Sequence, residues 1–231
     1  MLVNDNETFI ITGTSRGLGK NLVNYYLNKS KNIIGVSRSS SSIIHKNYTH
    51  FTLDVSSEND VKELFRNIRK NFQNINCVIN NAAVSYSNNI LLTPAKELEH
   101  VMKINLIGSF IVIKEAVKLL KKKNHGRIIS ISSILAKKSL PGTSAYSSSK
   151  VALEKFIEIF REEIENLEIS LDIINLSAIE GIGMSNEISE DAKNAILMST
   201  SSKKLIKFDD IISEFNKIID SGKKNLNVVI Q

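Results

Sequence analysis

Tyr146 and Lys150, four residues apart, form the pair of side chains in this sequence that is best suited to move a proton. On a helix, four residues make about one turn and place both side chains on one face. An ammonium beside a phenol favours the phenolate, so we expect Lys150 to lower the pKa of Tyr146 and let it exchange a proton near neutral pH. Ser133, at the end of an apolar run, could bind the same substrate oxygen. Without its context, such a pair is more often a surface pair.

A second group with chemical potential is the glycine-spaced segment ITGTSRGLGK at 11–20. Gly13, Gly17 and Gly19 follow an apolar run and precede an amphipathic pattern, which predicts a turn from a strand into a helix. Glycines let the backbone approach a pyrophosphate, and amides at a helix N-terminus point toward its charge. The segment therefore predicts a phosphate-binding loop. The alternative is a turn whose glycines serve only helix packing.

The elements that must position these residues alternate between short apolar runs and longer helical patterns. The predicted strands are 8–12, 32–37, 49–55, 76–82, 126–133, 170–176 and 227–230. The predicted helices are 17–29, 56–71, about 97 or 103 to 122, 145–167 and 209–221. Strands that are apolar throughout and joined by helices indicate parallel crossovers. We predict one α/β domain over 1–231, a doubly wound, Rossmann-like, mostly parallel seven-stranded sheet with helices on both faces.

Taken together, the motifs resemble the short-chain dehydrogenase/reductase family. Thr12 and the three glycines give its Thr-Gly-x-x-x-Gly-x-Gly form, and YSSSK at 146–150 with Ser133 gives its catalytic pattern. Asn105, in INLIGSF, matches the fourth active-site residue of the family. NNAA at 80–83 resembles its Asn-Asn-Ala-Gly element, and LDVS at 53–56 resembles its Asp-Val pair. The resemblance runs in family order from about residue 8 to residue 176.

The resemblance implies hydride transfer between a nicotinamide cofactor and a small-molecule carbonyl or alcohol, without a metal. Tyr146 would protonate the carbonyl oxygen, and Ser133 would position it. Lys150 would hold the nicotinamide ribose and shift Tyr146, and Asn105 would hold a water that links Lys150 to solvent. By motif, the most similar members are 3-oxoacyl-thioester reductases. The implied cofactor-binding residues are Gly13, Thr14, Ser15, Arg16, Gly17, Leu18, Gly19, Ser37, Arg38, Asp54 (at the adenine), Val55, Asn81, Ala82, Ala83, Tyr146, Lys150, Ala178 and Ile179.

The end of the second predicted strand indicates which nicotinamide cofactor is used. An acidic residue there would bind a ribose 2′-hydroxyl and repel a 2′-phosphate. This chain has Ser37 followed by Arg38, and Arg16 of the glycine loop can reach the same place. Two guanidiniums suit a phosphate dianion, so we predict NADP(H) in preference to NAD(H). The alternative is that both arginines are solvated surface residues.

The segment after the sixth predicted strand departs from the family pattern. Ser177 and Ala178 stand where the family has Pro-Gly, and Ile182 stands where it has a threonine. A polar substrate lid is predicted at about 180–207. These departures keep open a second hypothesis, a catalytically impaired nucleotide-binding sensor or scaffold of the same fold. The complete set of Ser133, Tyr146 and Lys150 favours the enzyme.

Composition limits the other classes of function. The chain has 231 residues, 42% of them hydrophobic, and its net charge of +6 comes without a basic helix, so no nucleic-acid partner is expected. The single cysteine, Cys77, excludes a disulfide within the chain and a paired-cysteine metal site. Without a signal-like start or about 18 consecutive apolar residues, we expect a cytoplasmic protein with no membrane partner. The resemblance implies a homodimer or homotetramer packed through the two long helices.

Overall fold

The centre of the computed structural model is one sheet of seven strands, in which every neighbouring pair is parallel. The structure describes residues 7–29, 31–183, 197–198 and 203–231. The strand order is β3-β2-β1-β4-β5-β6-β7, which confirms the predicted doubly wound sheet. The strands are β1 (Thr8–Thr12), β2 (Asn32–Ser37), β3 (Tyr48–Thr52), β4 (Ile75–Asn80), β5 (Gly126–Ser133), β6 (Ile169–Leu176) and β7 (Asn227–Ile230).

Helices cover both faces of this sheet because its inner strands are apolar on both sides. Successive residues of β1 point to opposite faces, so Ile10 joins one apolar cluster while Phe9 and Ile11 join the other. Three helices, α2, α4 and α5, pack on the first face, and α1 and α6 pack on the second. The helices are α1 (Gly17–Asn28), α2 (Glu58–Asn71), α3 (Ala95–Met102), α4 (Ser109–Leu120), α5 (Ser144–Glu163) and α6 (Phe208–Ile219).

Three elements differ from the sequence-based prediction by three residues or more, and one of them, α5, ends at Glu163 rather than at residue 167. The third strand ends at Thr52 rather than at residue 55, and its residues are partly exposed because β3 is an edge strand. The predicted long helix that ends near residue 122 is three segments, α3, a π-helical turn at Lys103–Gly108, and α4. A Cβ on Gly108 would lie 2.9 Å from the Val55 Cγ2 atom, so the chain needs a glycine for this close approach. π-turns of this kind are frequent at functional sites.

Far from the glycine loop, a buried ion pair ties β5 to β6 and to the connection before β7. Arg127 Nη1 donates to Asp172 Oδ2 at 2.7 Å, and its Nη2 donates to the carbonyl oxygens of Ser221 and Lys223. The other Asp172 oxygen accepts from Ser170 Oγ and from the Leu226 amide. Burial raises the pKa of Asp172 more than its partners lower it. The pair therefore costs desolvation energy, and its loss on one side leaves an unpaired buried charge.

We expect the substitution Asp172→Asn to lower the free energy of unfolding by about 3 to 5 kcal/mol, because it leaves the Arg127 guanidinium buried without a counter-charge. Urea unfolding followed by circular dichroism measures the change. The double substitution Arg127→Met with Asp172→Leu is the control, since it removes both charges and should cost less than the single one. A double variant as unstable as Asp172→Asn would contradict this account of the pair.

Candidate active site

A cavity of about 1120 Å³ opens at the carboxyl ends of the strands, where parallel sheets bind their ligands. Its wall contains every site residue predicted from the sequence except Thr14, Gly19 and Asn105. The structure thus brings together the glycine loop, the ends of β2, β4, β5 and β6, and the first turns of α5. The three exceptions are buried beside the wall rather than in it.

The glycine loop has the backbone that a phosphate cradle requires. Gly13 and Gly17 have φ angles of 75° and 60°, which residues that carry a Cβ atom rarely adopt. A Cβ on Gly19 would lie 2.2 Å from the carbonyl oxygen of Gly13, so this position packs α1 against the loop and does not face the cavity. Arg16 is the N-cap of α1, and the first turn of this helix carries no acidic residue. Its N-terminal dipole therefore points a positive end into the cavity.

The Asn-Asn-Ala-Ala segment holds the glycine loop in place. The hydroxyl of Thr12 accepts from the amides of Asn81 and Ala82, both at 3.0 Å. The Asn81 side chain returns a hydrogen bond to the carbonyl oxygen of Thr12 at 2.8 Å and a longer one to that of Gly13 at 3.4 Å. A Cβ on Gly13 would lie 2.8 Å from that side-chain nitrogen. Asn81, Ala82 and Ala83 all line the cavity next to this brace.

The two predicted arginines both line the cavity. Arg16 and Arg38 are both exposed, and Ser37 and Asp54 line the cavity with them. The Ser37 hydroxyl donates to the carbonyl oxygen of Ser39, which turns the chain after β2. Burial alone would raise the pKa of Asp54. Hydrogen bonds from the Ser56 amide and hydroxyl, together with the charge of Arg38, have the larger combined effect and leave this pKa below its usual value. Asp54 therefore stays ionised beside Arg38.

A series of hydrogen-bonded side chains next to Ser37 was not predicted from the sequence. His50 Nε2 lies 3.0 Å from the carbonyl oxygen of Ser39 and 3.3 Å from Ser37 Oγ. His50 Nδ1 lies 2.9 Å from the hydroxyl of Tyr48, which lies 3.3 Å from Thr14 Oγ1. Because Tyr48 and His50 are two residues apart on β3, they share one face of the edge strand. The alternation of side chains along this strand could have predicted their contact, but the predicted strand, 49–55, left out Tyr48.

The proton-transfer candidates meet at the start of α5. The Ser133 hydroxyl hydrogen-bonds to the Tyr146 phenol, and Lys150 Nζ lies 5.6 Å from the centre of the tyrosine ring. The ammonium donates to the carbonyl oxygen of Ile131 in β5 at 2.8 Å. Burial lowers the pKa of Lys150 to about 8, against the raising effect of Glu154. The spacing of four residues does place the tyrosine and the lysine on one face, as predicted.

The expectation that Lys150 lowers the pKa of Tyr146 is wrong for this geometry. Burial raises the pKa of Tyr146 to about 12, and the hydrogen bond from Ser133 lowers it only in part. The reason is that the Lys150 ammonium is directed at the Ile131 carbonyl oxygen rather than at the phenol oxygen. The phenol therefore keeps its proton at neutral pH and is poised to donate it.

Asn105 lies in the π-helical turn and is completely buried. Its Oδ1 accepts from the Val84 amide, and its Nδ2 donates to the Val84 carbonyl oxygen at 2.9 Å and to Ser149 Oγ at 3.0 Å. The Ser149 hydroxyl in turn donates to the backbone oxygen of Tyr146. Asn105 thus fixes the cavity wall to the helix that carries Tyr146. The role of holding a water stays a prediction.

The segment after β6 crosses over the glycine loop. Gly181 and Gly183 have φ angles of 63° and 72°, and a Cβ on Gly17 would lie 3.0 Å from Gly183 Cα. Ala178 and Ile179 line the cavity just before this crossing. Of the predicted lid at about 180–207, residues 184–196 and 199–202 lie outside the described residues. The positive φ angles of Gly181 and Gly183 thus let the chain turn close to Gly17.

Beside Tyr146, the cavity continues past the residues that were predicted. Short hydroxyl-bearing and apolar side chains form this end, and they come from the loop after β4 and from the segment between β5 and α5. These residues are Ser85, Tyr86, Ser87, Ile134, Leu135, Leu140, Pro141 and Thr143. Six of them lie in loops, and Ile134 and Leu135 lie in a short 3₁₀ turn. Such segments have no periodic pattern from which their meeting could be predicted.

Two further properties concern only the residues that the structure describes. No group of three or more His, Cys, Asp and Glu side chains there has the placement to hold a metal ion. Within the same ranges, no helix is both long and apolar enough to cross a membrane.

Comparison with known proteins decides the family. A family model described as short chain dehydrogenase matches residues 7–193. The chain belongs to the short-chain dehydrogenase family. It is 29% identical over 177 residues to a 3-oxoacyl-(acyl-carrier-protein) reductase of Buchnera aphidicola, covering 74% of this chain and 72% of that one. It is 28% identical over 192 residues to carbonyl reductase family member 4 of Xenopus laevis, covering 81% of each. This chain is therefore an oxidoreductase of the family.

Solved structures of the family share this fold. A short-chain dehydrogenase of Leptospira borgpetersenii with bound NAD⁺ superposes with a TM-score of 0.87 at 18% identity, over 98% of this chain and 91% of that one. ElxO with NADP bound superposes with a TM-score of 0.85 at 22% identity, over 97% of each chain. The two neighbours hold different nicotinamide cofactors, so the likeness alone does not choose between them.

Proposed function

We propose that this protein is an NADP(H)-dependent reductase that converts a carbonyl to an alcohol, or catalyses the reverse reaction. The observation that carries the proposal is the meeting of Ser133, Tyr146 and Lys150 in the wall of the cavity that also contains the glycine loop. A phosphate cradle and a proton donor in the wall of one cavity match a dinucleotide cofactor and a substrate carbonyl. Similarity to 3-oxoacyl-thioester and carbonyl reductases supports the same reaction class.

The residues present fit such a cofactor. The positive φ angles of Gly13 and Gly17 leave a surface without side chains for a pyrophosphate, next to the N-terminus of α1. At the other end, the hydroxyl of Ser177 is buried in the cavity wall without a hydrogen-bond partner among the described residues. A buried hydroxyl left unpaired is costly, and an amide such as that of nicotinamide would satisfy it. Ser177 would then hold the cofactor where the family has proline.

The chain contributes proton transfer and electrostatics, while a bound nicotinamide cofactor supplies the hydride. Tyr146 holds its phenol proton at neutral pH and would donate it to the carbonyl oxygen during reduction. Ser133 would bind the same oxygen and keep it in line with the phenol. Lys150, as an ammonium held at the Ile131 carbonyl oxygen, would bind the ribose hydroxyls. Asn105 holds α5 against the cavity wall beside it through hydrogen bonds to Val84 and Ser149.

The preference for NADP(H) is supported by charge at the adenosine end. Arg16 and Arg38 line this end, and Ser37 provides no negative charge that would repel a 2′-phosphate. Guanidiniums bind phosphate through parallel, charge-assisted hydrogen bonds. His50 holds the Ser39 carbonyl oxygen and so supports the loop that carries Arg38.

The test is consumption of NADPH by the purified protein, followed by absorbance, with a panel of short ketones, aldehydes and 3-oxoacyl thioesters. We expect turnover with at least one carbonyl class and slower turnover when NADH replaces NADPH. Tight binding of NADPH with no turnover on any compound would favour the sensor or scaffold instead. Faster turnover with NADH would overturn the cofactor assignment.

We also propose that the protein forms a homo-oligomer through α4 and α5. Four large apolar side chains are exposed on these helices and the π-turn before them, Ile107, Phe110, Val151 and Ile159, with 39% to 52% of each side chain accessible. The rings of Phe110 and Phe156 are in contact, which joins the two helices into one surface. Contiguous exposed apolar surface of this kind marks association sites, and symmetric dimers are the commonest arrangement.

We expect the substitution Ile159→Glu to dissociate the oligomer, because it would bury two symmetry-related carboxylates in an apolar interface. Light scattering after size-exclusion chromatography measures the mass. Ile44→Glu is the control, since Ile44 is fully exposed in the connection between β2 and β3. A wild-type protein that is monomeric at high concentration would contradict the proposal.

A further inference from the structure

The carboxylate of Glu154 occupies an unusual position, one helical turn after Lys150 on the same face of α5. Its Oε1 accepts from Ser132 Oγ at 2.5 Å and also from Asn175 Nδ2. Ser132 and Asn175 are directly paired across β5 and β6, and both are buried. Glu154 therefore binds a cross-strand pair at the carboxyl ends of two central strands, immediately before the segments that carry Ser133 and Ser177.

The cluster of Glu154, Ser132 and Asn175 is connected to the proton-transfer residues through backbone carbonyl oxygens of β5. Asn175 Nδ2 also lies 3.4 Å from the carbonyl oxygen of Ser133. Lys150 is bonded through its ammonium to the Ile131 carbonyl oxygen, one residue before Ser132. Thus Glu154 and Lys150, on one helix, hold two neighbouring residues of β5. These bonds fix the distance between α5 and the end of β5, and so the distance from Tyr146 to Ser133.

We propose that Glu154 is a positioning residue of the proton-transfer centre, which fixes the ends of β5 and β6 against α5 and serves as the counter-charge of Lys150. The inference rests on the proposed function, because Lys150 has a part in catalysis only there. Of the charges near Lys150, it is the Glu154 carboxylate that acts on the ammonium and favours its protonated form. A protonated Lys150 is the form that would donate hydrogen bonds to ribose hydroxyls.

Other titratable groups surround the pair. Asp172 of β6 acts with Glu154 and Glu158 on the guanidinium of Arg161, and Arg127 of β5 is paired with Asp172. The atoms that touch Glu154 itself belong to neutral side chains. The remaining titratable residues on α5 and on the elements packed against it are Tyr146, Lys155, Glu162 and Glu163 on α5 itself, Lys96, Glu97, Glu99 and His100 on α3, Lys103 on the π-turn, and Lys114, Glu115 and Lys118 on α4.

The first test needs neither cofactor nor substrate. Nuclear magnetic resonance of protein labelled with carbon-13 at lysine Cε follows the titration of each lysine, and the signal of Lys150 is the one absent from Lys150→Met. In Glu154→Gln, which keeps the side-chain shape and loses the charge, we expect the midpoint of Lys150 to move to lower pH. The matched control is Glu158→Gln, which removes an exposed carboxylate one turn further along α5 and should leave the midpoint in place.

The second test separates charge from geometry by activity. In Glu154→Gln, the fall of kcat/KM at alkaline pH should begin at lower pH than in the wild type, because Lys150 loses its proton earlier. Glu154→Asp keeps the charge but is one carbon shorter, so it should keep the Lys150 midpoint and lower kcat by up to about 100-fold through misplacement of α5.

The outcomes distinguish this inference from the proposed function. A Lys150 midpoint that is the same in Glu154→Gln as in the wild type overturns the inference, even if the enzyme reduces carbonyls. A midpoint that moves, in a protein that reduces no carbonyl, supports the Glu154–Lys150 coupling while the proposed reaction fails. Equal shifts in Glu154→Gln and Glu158→Gln also overturn it, because they would report only the loss of a remote charge.

Discussion

Replacing Tyr146 with phenylalanine is expected to lower kcat by about 10²- to 10⁴-fold, the contribution of a positioned general acid. The substitution removes one hydroxyl and keeps the ring that packs in the cavity wall. The Ser133 hydroxyl hydrogen-bonds to the phenol that is removed, and the Lys150 ammonium is bonded to the Ile131 carbonyl oxygen. Steady-state rates at saturating NADPH measure the loss.

Two further measurements make this result specific. NADPH binding, followed by cofactor fluorescence, should change much less than kcat in Tyr146→Phe, since the glycine loop that would hold the phosphates does not include Tyr146. The control substitution Tyr25→Phe removes the same hydroxyl group on α1, where it accepts from Asn216, and should keep full activity. Wild-type rates in Tyr146→Phe would mean that another group, or water, donates the proton.

Replacing Arg38 with aspartate should reverse the cofactor preference. The loss of a charge-assisted hydrogen bond to phosphate weakens NADPH binding by about 10- to 100-fold. The new carboxylate would repel the 2′-phosphate and accept hydrogen bonds from the 2′-hydroxyl of NADH. The ratio of the two dissociation constants, measured by fluorescence titration of the same protein preparation, reports both effects.

Two additional variants divide this result into its causes. Arg38→Gln removes the cation without adding an acid, so it should weaken NADPH binding and leave NADH binding as it was. Arg66→Asp makes the same change in net charge on the exposed side of α2 and should alter neither constant by more than a small factor, since salt screens distant charges. A ratio that stays at the wild-type value in Arg38→Asp would show that Arg38 is a solvated surface residue.

Sequence patterns were sufficient where one local rule sets the structure. The spacing of Tyr146 and Lys150 predicted a shared helical face, and the apolar runs predicted all seven strands and their parallel pairing. Gly13 and Gly17 were predicted to be in a strand-to-helix turn, and their positive φ angles belong to such a turn.

The remaining features depend on contacts between distant segments. The direction of the Lys150 ammonium toward Ile131, and with it the raised pKa of Tyr146, follows from how α5 packs on β5. The bond between Glu154 and Asn175 joins residues that are brought together only by the pairing of β5 with β6. Spacing along a chain contains no information on such packing. For the same reason, the sequence did not predict that the strand carrying His50 is a half-exposed edge strand.

The most direct test of the central claim is the fate of the hydride. NADPH with deuterium on the nicotinamide C4 carbon is incubated with the protein and the best carbonyl of the panel, and the alcohol is examined by mass spectrometry. The account predicts one deuterium on the carbinol carbon of the product with wild-type protein, and about 10²- to 10⁴-fold less product over the same time with Tyr146→Phe. Two results would contradict it. One is an alcohol that carries no deuterium whichever face of the nicotinamide is labelled, and the other is deuterated product formed by Tyr146→Phe at the wild-type rate.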